Sequence, residues 1–241
     1  MGVGVLGIDT AGPLVGISFV DNLRQYSWQK RAAKGADSLL LERLQWILRF
    51  YEPDIVAVSV GPGSFTSLRV GVSIALGVAE SRKLNVVPVS SLEARAKLFP
   101  SRHCLSLLDA RKKRVYGQLF DSSQAIPRPL GEPQDIALEQ LLPEQDFIAV
   151  GEGATVYQDR ILEAGGFVPC DASRNPALQV AELGYLRRKK AIDPLNLAID
   201  YIREAGVQPP KNLGIPTGQP LSSTASVPTV QATENKDESG L

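Results

Sequence analysis

An apolar run that ends abruptly in a glycine turn constrains this chain more than any other feature. Ile55-Val56-Ala57-Val58-Ser59-Val60 reads as a buried strand, Gly61-Pro62-Gly63-Ser64 breaks it, and a helical pattern opens near Thr66. Strand, tight loop and helix N-terminus make an α/β unit in which free backbone N–H groups and a helix dipole can receive an anion. The loop matches neither common phosphate fingerprint. It lacks the Gly-Lys-Ser/Thr ending of a P-loop, and Thr66 stands where a dinucleotide loop places its third glycine. The loop alone therefore favours a plain strand-to-helix turn, with an anion seat as the alternative.

The unit is embedded in a pattern that occurs twice. Residues 3–8 and 15–20 read as a hairpin turning through Asp9–Leu14, and residues 24–30 add a strand. A helix capped by Asp37 or Ser38 runs to Tyr51, before Pro53. Helix 67–82, strand 85–89 and helix 91–99 follow, the last opened by the capping box Ser90-x-x-Glu93. The pattern then restarts. Leu105–Asp109 and Val115–Phe120 form a second hairpin with Asp109 at its turn, as Asp9 is in the first. Phe147–Val150 ends in a second glycine turn, Gly151-Glu152-Gly153-Ala154, ahead of a helix over 154–165. Helix 176–190 and a closing element over 194–203 complete the reading. The repeat argues for two similar lobes facing a cleft, an N-terminal lobe over 1–101 and a C-terminal lobe with closing helices over 102–212. Residues 213–241 are rich in Pro, Ser, Thr and Gly and are expected to form a disordered tail.

Residues 61–72, GPGSFTSLRVGV, resemble the signature of the bacterial TsaB (YeaZ) family of tRNA N6-threonylcarbamoyladenosine biosynthesis proteins, in which Gly usually replaces Ser67. Further blocks match in order: Leu6-Gly7-Ile8-Asp9-Thr10, Val89-Ser90-Ser91-Leu92-Glu93-Ala94, Leu108-Asp109-Ala110-Arg111 with Val115-Tyr116, Val150-Gly151-Glu152-Gly153-Ala154 and Tyr201-Ile202-Arg203. The resemblance covers roughly residues 1–212. It implies an α/β fold, the two-lobed actin-like ATPase (ribonuclease H-like) superfold. It implies a non-catalytic scaffold and activating subunit that binds a TsaD-type catalytic subunit, with a TsaE-type ATPase joining and a homodimer when alone. tRNA would be reached only through that complex. ATP and a metal ion would serve the partner subunits, and this chain would need no cofactor of its own. The family's cleft is regarded as degenerate, which marks Asp9, Thr10, Gly61, Gly63, Ser64, Asp109, Gly151 and Gly153 as a vestigial phosphate cleft.

The chemistry agrees in what it offers and what it lacks. Asp9 and Asp109 can hold a hydrated Mg²⁺ beside phosphate-binding N–H groups, or each can cap its turn through an Asx-type bond. Pro13, in the first turn, brings no N–H. The single histidine, His103, cannot form the His-x-x-x-His metal pair of the TsaD family, and its neighbour Cys104 would point to the opposite face of a strand. No GxSxG elbow is present, so no catalytic residue and no metal site is expected. Lys plus Arg and Asp plus Glu number 26 each, without the basic excess of a stand-alone tRNA binder. The basic runs Arg111–Arg114 and Arg187–Lys190 read as solvated surface, with phosphate contacts inside a complex as the alternative. Two cysteines, Cys104 and Cys170, form no disulfide framework and suit a cytoplasmic protein. No signal peptide, apolar span or myristoylation pattern is expected.

Two helices carry more apolar surface than one sheet face requires. In the first, Leu40, Leu44, Ile47 and Tyr51 make one stripe and Leu39, Trp46 and Phe50 another. In helix 67–82, Leu68, Val72, Ala75 and Ala79 make one stripe and Val70, Ile74 and Val78 another, with Gly71, Ser73 and Gly77 small enough for close approach. Both sets can be buried within one lobe. The resemblance instead implies a helix bundle with a partner, through Leu39, Arg43, Trp46, Arg69, Val70, Ser73, Ile74 and Gly77. The enzyme alternative, a small-molecule kinase or ATPase using Asp9, Asp109 and both glycine turns, lacks a lysine in either turn to balance a polyphosphate.

Overall fold

The computed structural model describes residues 2–31 and 36–202. The expected tail, and the Arg203 end of the last family block, lie outside the described residues. The first half runs β1 (Val5–Asp9), β2 (Leu14–Val20), β3 (Gln25–Arg31), α1 (Ala36–Phe50), β4 (Ile55–Gly61), α2 (Phe65–Arg82), β5 (Asn85–Ser90) and α3 (Ser91–Ala96). The second runs β6 (Cys104–Arg111), β7 (Arg114–Asp121), β8 (Arg128–Pro129), β9 (Gln134–Ile136), β10 (Phe147–Val150), α4 (Glu152–Val156), α5 (Gln158–Glu163), β11 (Gly166–Phe167) and α6 (Ala177–Leu186).

The two sheets have the same order. The first is β3-β2-β1-β4-β5 and the second β8-β7-β6-β10-β11, with β9 also paired to β7. In each, an antiparallel hairpin is extended by a parallel strand that ends in a glycine turn: β4 beside β1, β10 beside β6. This duplication is the two-lobed actin-like architecture that the resemblance implied.

β1 and β4 are buried on both faces, which is why β4 reads as an apolar run interrupted only by Ser59. Leu6, Ile8, Ile17, Phe19, Val56 and Val58 meet Leu40, Leu44 and Ile47 of α1 and Val72, Ala75 and Val78 of α2. On the opposite face Val5, Ile55, Ala57, Val87 and Val89 meet Val180, Ala181 and Leu183 of α6. Each buried Val, Leu or Ile contributes about 1.5–3 kcal/mol, and a bare sheet face would forfeit that. The chain therefore returns from the second sheet to cover the first.

Element boundaries differ from the expectation where caps decide them. α2 begins at Phe65, two residues earlier, with Ser64 extended as its N-cap. α3 stops at Ala96 rather than residue 99. The helix expected over 154–165 breaks at Tyr157 into α4 and α5, and the one expected over 176–190 ends at Leu186 before a 3-10 turn. Asp109 is not at the second hairpin's turn. It lies inside β6, and the turn is Lys112-Lys113, between the paired Arg111 and Arg114. Arg111, Lys112 and Lys113 all take left-handed backbone, with φ of 62°, 51° and 61°. Positive φ at both central residues is the type I′ pattern, normally built from Asn-Gly. Each L-residue held there costs roughly 1–2 kcal/mol.

Candidate functional site

The cleft between the lobes is filled by the chain's own charges. Asp9 ends β1 and is fully buried. Above it lies Arg95 of α3, also fully buried, and beyond that Glu152 at the start of α4. Arg95 grips Glu152 in a fork, Nε to Oε2 and Nη2 to Oε1, both at 2.9 Å. Its Nη1 and Nη2 each donate to Asp9 at 3.4 Å, and Nη1 also donates to the Ser91 carbonyl at 3.0 Å. All five guanidinium N–H groups thus have an acceptor. Asn175 completes the cluster: its Nδ2 donates to Asp9 Oδ2 at 2.9 Å and to the Leu14 carbonyl at 2.7 Å. Burial works against the Arg95 charge, but the Asp9 and Glu152 carboxylates outweigh it and hold the pKa above arginine's usual value. Asp9 belongs to the first sheet and Glu152 follows the second, so Arg95 ties the lobes together.

The expected cleft residues face inward onto this chain. The Thr10 hydroxyl donates to the Ser67 carbonyl at 2.6 Å, anchoring the first turn to α2. The Ser64 N–H, at the glycine loop, donates to the Ala11 carbonyl at 2.9 Å, and Gly63 packs against that same carbonyl. Gly61 has φ of 131°, and a side chain there would strike the Asp200 carbonyl; the Asp200 N–H in turn donates to Val60 O at 2.8 Å. Gly151 has φ of 92°, its N–H donates to Ala172 O at 2.8 Å, and a side chain there would strike Leu107 O. Gly153 is buried against Leu107. Both turns need glycine for backbone conformation and for the close approach of this chain to itself. Asp109 stands apart: it is exposed, and its carboxylate accepts from the Arg111 N–H at 2.8 Å, the Asx-type cap. The structure does not join it to the Asp9 cluster. Among the described residues, no three His, Cys, Asp or Glu side chains gather as a metal site requires.

Sequence reasoning missed Arg95, Glu152 and Asn175. The available signal was Arg95 itself, the one cation in the otherwise small and apolar Leu92–Ala96 stretch apart from its neighbour Glu93, and Glu152 enclosed by two glycines. Glu93 is accounted for separately, by an ion pair to Arg187 with Nη1 to Oε2 at 2.8 Å.

The other candidate surface is the outer side of α1 and α2. Leu68, Val72, Ala75 and Ala79 are buried, while Arg69, Ser73 and Gly77 are exposed along one line of α2, flanked by half-buried Val70 and Ile74. A side-chain atom added at Gly77 would meet nothing within 4 Å. On α1, Leu41, Trp46 and Phe50 are 45%, 38% and 61% exposed and Leu39 is half-buried. Trp46 stacks on Tyr26 and Phe50, with ring centroids 5.0 Å apart in both pairs, and Arg43 lies over the Trp28 and Trp46 rings. Arg69 lies 3.8 Å from the Phe65 ring centroid and its Nε donates to the Tyr201 hydroxyl at 3.3 Å. The expected interface residues are exposed or half-buried on both helices, Arg43 and Trp46 beside Trp28 and Tyr26 of β3 and Arg69 beside Phe65 and Tyr201.

Comparison with known proteins agrees with this architecture. A family model described as TsaD, tRNA N6-adenosine threonylcarbamoyltransferase, matches residues 40–160. The tRNA threonylcarbamoyladenosine biosynthesis protein TsaB of Bacillus subtilis is 31% identical over 163 residues, covering 62% of this chain and 69% of that protein. The TsaB of Haemophilus influenzae is 28% identical over 203 residues, covering 76% and 83%. Among solved structures, YeaZ from Pseudomonas aeruginosa superposes with a TM-score of 0.70 at 18% identity, over 83% of this chain and all of that one, and shows the same fold.

Proposed function

This chain belongs to the TsaB (YeaZ) family of tRNA threonylcarbamoyladenosine biosynthesis proteins, and from that premise we propose that it is a non-catalytic scaffold and activating subunit. It would bind a TsaD-type catalytic subunit, with a TsaE-type ATPase joining the pair, and would self-associate through the same surface when alone. ATP and a metal ion would be used by those partners, in the cytoplasm. No described helix is long and apolar enough to cross a membrane.

One observation carries the reading: the groups an active cleft would turn toward nucleotide are already committed to this chain. Asp9 is held by Arg95 and Asn175, the Ser64 and Gly151 N–H groups are donated to carbonyls, and Asp109 is on the surface. A polyphosphate would have to displace a bidentate ion pair in a buried site. His103, the single histidine, supplies no second ligand for a transferase-type metal pair. With no chemistry of its own to perform, the chain's remaining asset is the α1–α2 surface, whose small positions let another helix pack closely.

The test is Ser73→Arg. Ser73 is exposed on α2, so the isolated variant should fold normally by circular dichroism. Against a closely packed helix the guanidinium would be buried unpaired at a cost of roughly 3–5 kcal/mol, lowering affinity for the TsaD-type subunit by about a hundredfold or more. A folded variant that binds that subunit as well as the wild type would put the interface elsewhere.

A further inference from the structure

We propose that the β6–β7 turn is a contact for the phosphate backbone of RNA, made by this chain itself when the assembled complex holds tRNA. The inference rests on the function proposed above. It starts from three consecutive exposed cations, Arg111, Lys112 and Lys113, none with a side-chain hydrogen bond or ion pair among the described residues. Several arginines elsewhere are engaged: Arg95 with Asp9 and Glu152, Arg187 with Glu93, Arg24 with Asp21. The second basic run differs, because Arg187 is ion-paired and Arg188 lies over the Tyr185 ring. In a chain of zero net charge, the hairpin tip carries three adjacent cations beside the single carboxylate of Asp109, a local excess of positive charge.

Folding does not account for the residues chosen. Positive φ at both central positions is what Asn-Gly supplies without strain, yet Lys-Lys occupies them. The tip is also held firmly from below. Arg114 Nε pairs with Asp135 Oδ1 of β9 at 2.7 Å, and the Asp109 carboxylate caps the Arg111 N–H at 2.8 Å. Closely spaced cations on a braced β-ribbon suit a ligand that carries anions at short regular intervals, as a nucleic acid backbone does. An acidic protein surface presents charge less regularly, and the family's biosynthetic product is a modified tRNA.

The experiment replaces Lys112→Asn and Lys113→Gly together, which removes two charges and installs the preferred turn residues, so the isolated chain should melt at or above the wild-type temperature. Lys112→Gln with Lys113→Gln repeats the test with side-chain length retained. The complex with the TsaD-type subunit is assembled first, and its tRNA affinity is then measured from about 50 to about 200 mM salt. Affinity at low salt should fall about tenfold, and the slope of log affinity against log salt should flatten by about 1.4–1.8, the value for two lost phosphate contacts. Capture of the catalytic subunit should be unchanged. Wild-type tRNA affinity and slope in either folded variant would overturn the proposal. So would weakened capture of the catalytic subunit, which would assign the tip to an acidic protein surface. A wild-type chain that captures no catalytic subunit would refute the proposed function before any RNA is added, and this inference with it.

Discussion

Replacing Arg95 by Met tests whether the cleft is held by its central charge. The substitution roughly keeps the side chain's volume and removes five hydrogen-bond donors. It leaves Asp9 buried with only Asn175 as a side-chain partner, and Glu152 with none of its Arg95 bonds. Breaking a buried pair from one side costs roughly 3–5 kcal/mol, because the remaining charge is stranded in a medium that solvates it poorly. At roughly 2–4 °C per kcal/mol for a chain of this size, the melting temperature should fall by about 6–20 °C, with a matching loss in urea midpoint. The neutral combination Asp9→Asn, Arg95→Met and Glu152→Gln should recover most of the loss, because a buried ion pair is worth little more than its neutral replacement. Arg95→Met within about 1 kcal/mol of wild type, or a triple variant no better than the single one, would refute the reasoning. The first result would mean that apolar packing around α3, and not the ion-pair cluster, holds the lobes together; the second would mean that the loss comes from Arg95's own bonds and not from stranded carboxylates.

The two thiols should differ sharply. Burial pushes Cys104 up to about 12, so it stays protonated at neutral pH; a thiol reagent should titrate exposed Cys170 alone in the native protein and both after denaturation. Lys83→Gly, at the left-handed cap of α2, should stabilise by about 0.5–1 kcal/mol, because relief of roughly 1–2 kcal/mol of strain exceeds the roughly 0.5–1 kcal/mol entropic penalty of glycine; a lowered melting temperature would contradict this. The isolated chain should show no magnesium-dependent ATP turnover in a phosphate-release assay, and turnover abolished by Asp9→Ala would restore the enzyme alternative.

By itself, the sequence determined the features whose cause is local. Apolar runs closed by glycine placed β4 and β10, short apolar segments on either side of a turn placed both hairpins, and the stripe of Leu68, Val72, Ala75 and Ala79 placed the inner face of α2. Their repetition in the same order was enough to read two similar lobes. The helix surface was half legible: the pattern marked Ser73 and Gly77 as small positions outside the core stripe, but only the fold left them exposed. The short strands β8, β9 and β11, of two or three residues, carry no periodicity to read, and tertiary pairing alone creates them. α6 is apolar in the sequence, but which sheet it covers follows from the open face of β1 and β4. Tertiary structure also decided the state of the cleft. Arg95 lies 86 residues from Asp9 and 57 from Glu152, and Asn175 lies 166 residues from Asp9. No local pattern relates side chains so far apart. Burial forced the pairing, because each of these charges is tolerable inside the protein only with the others around it.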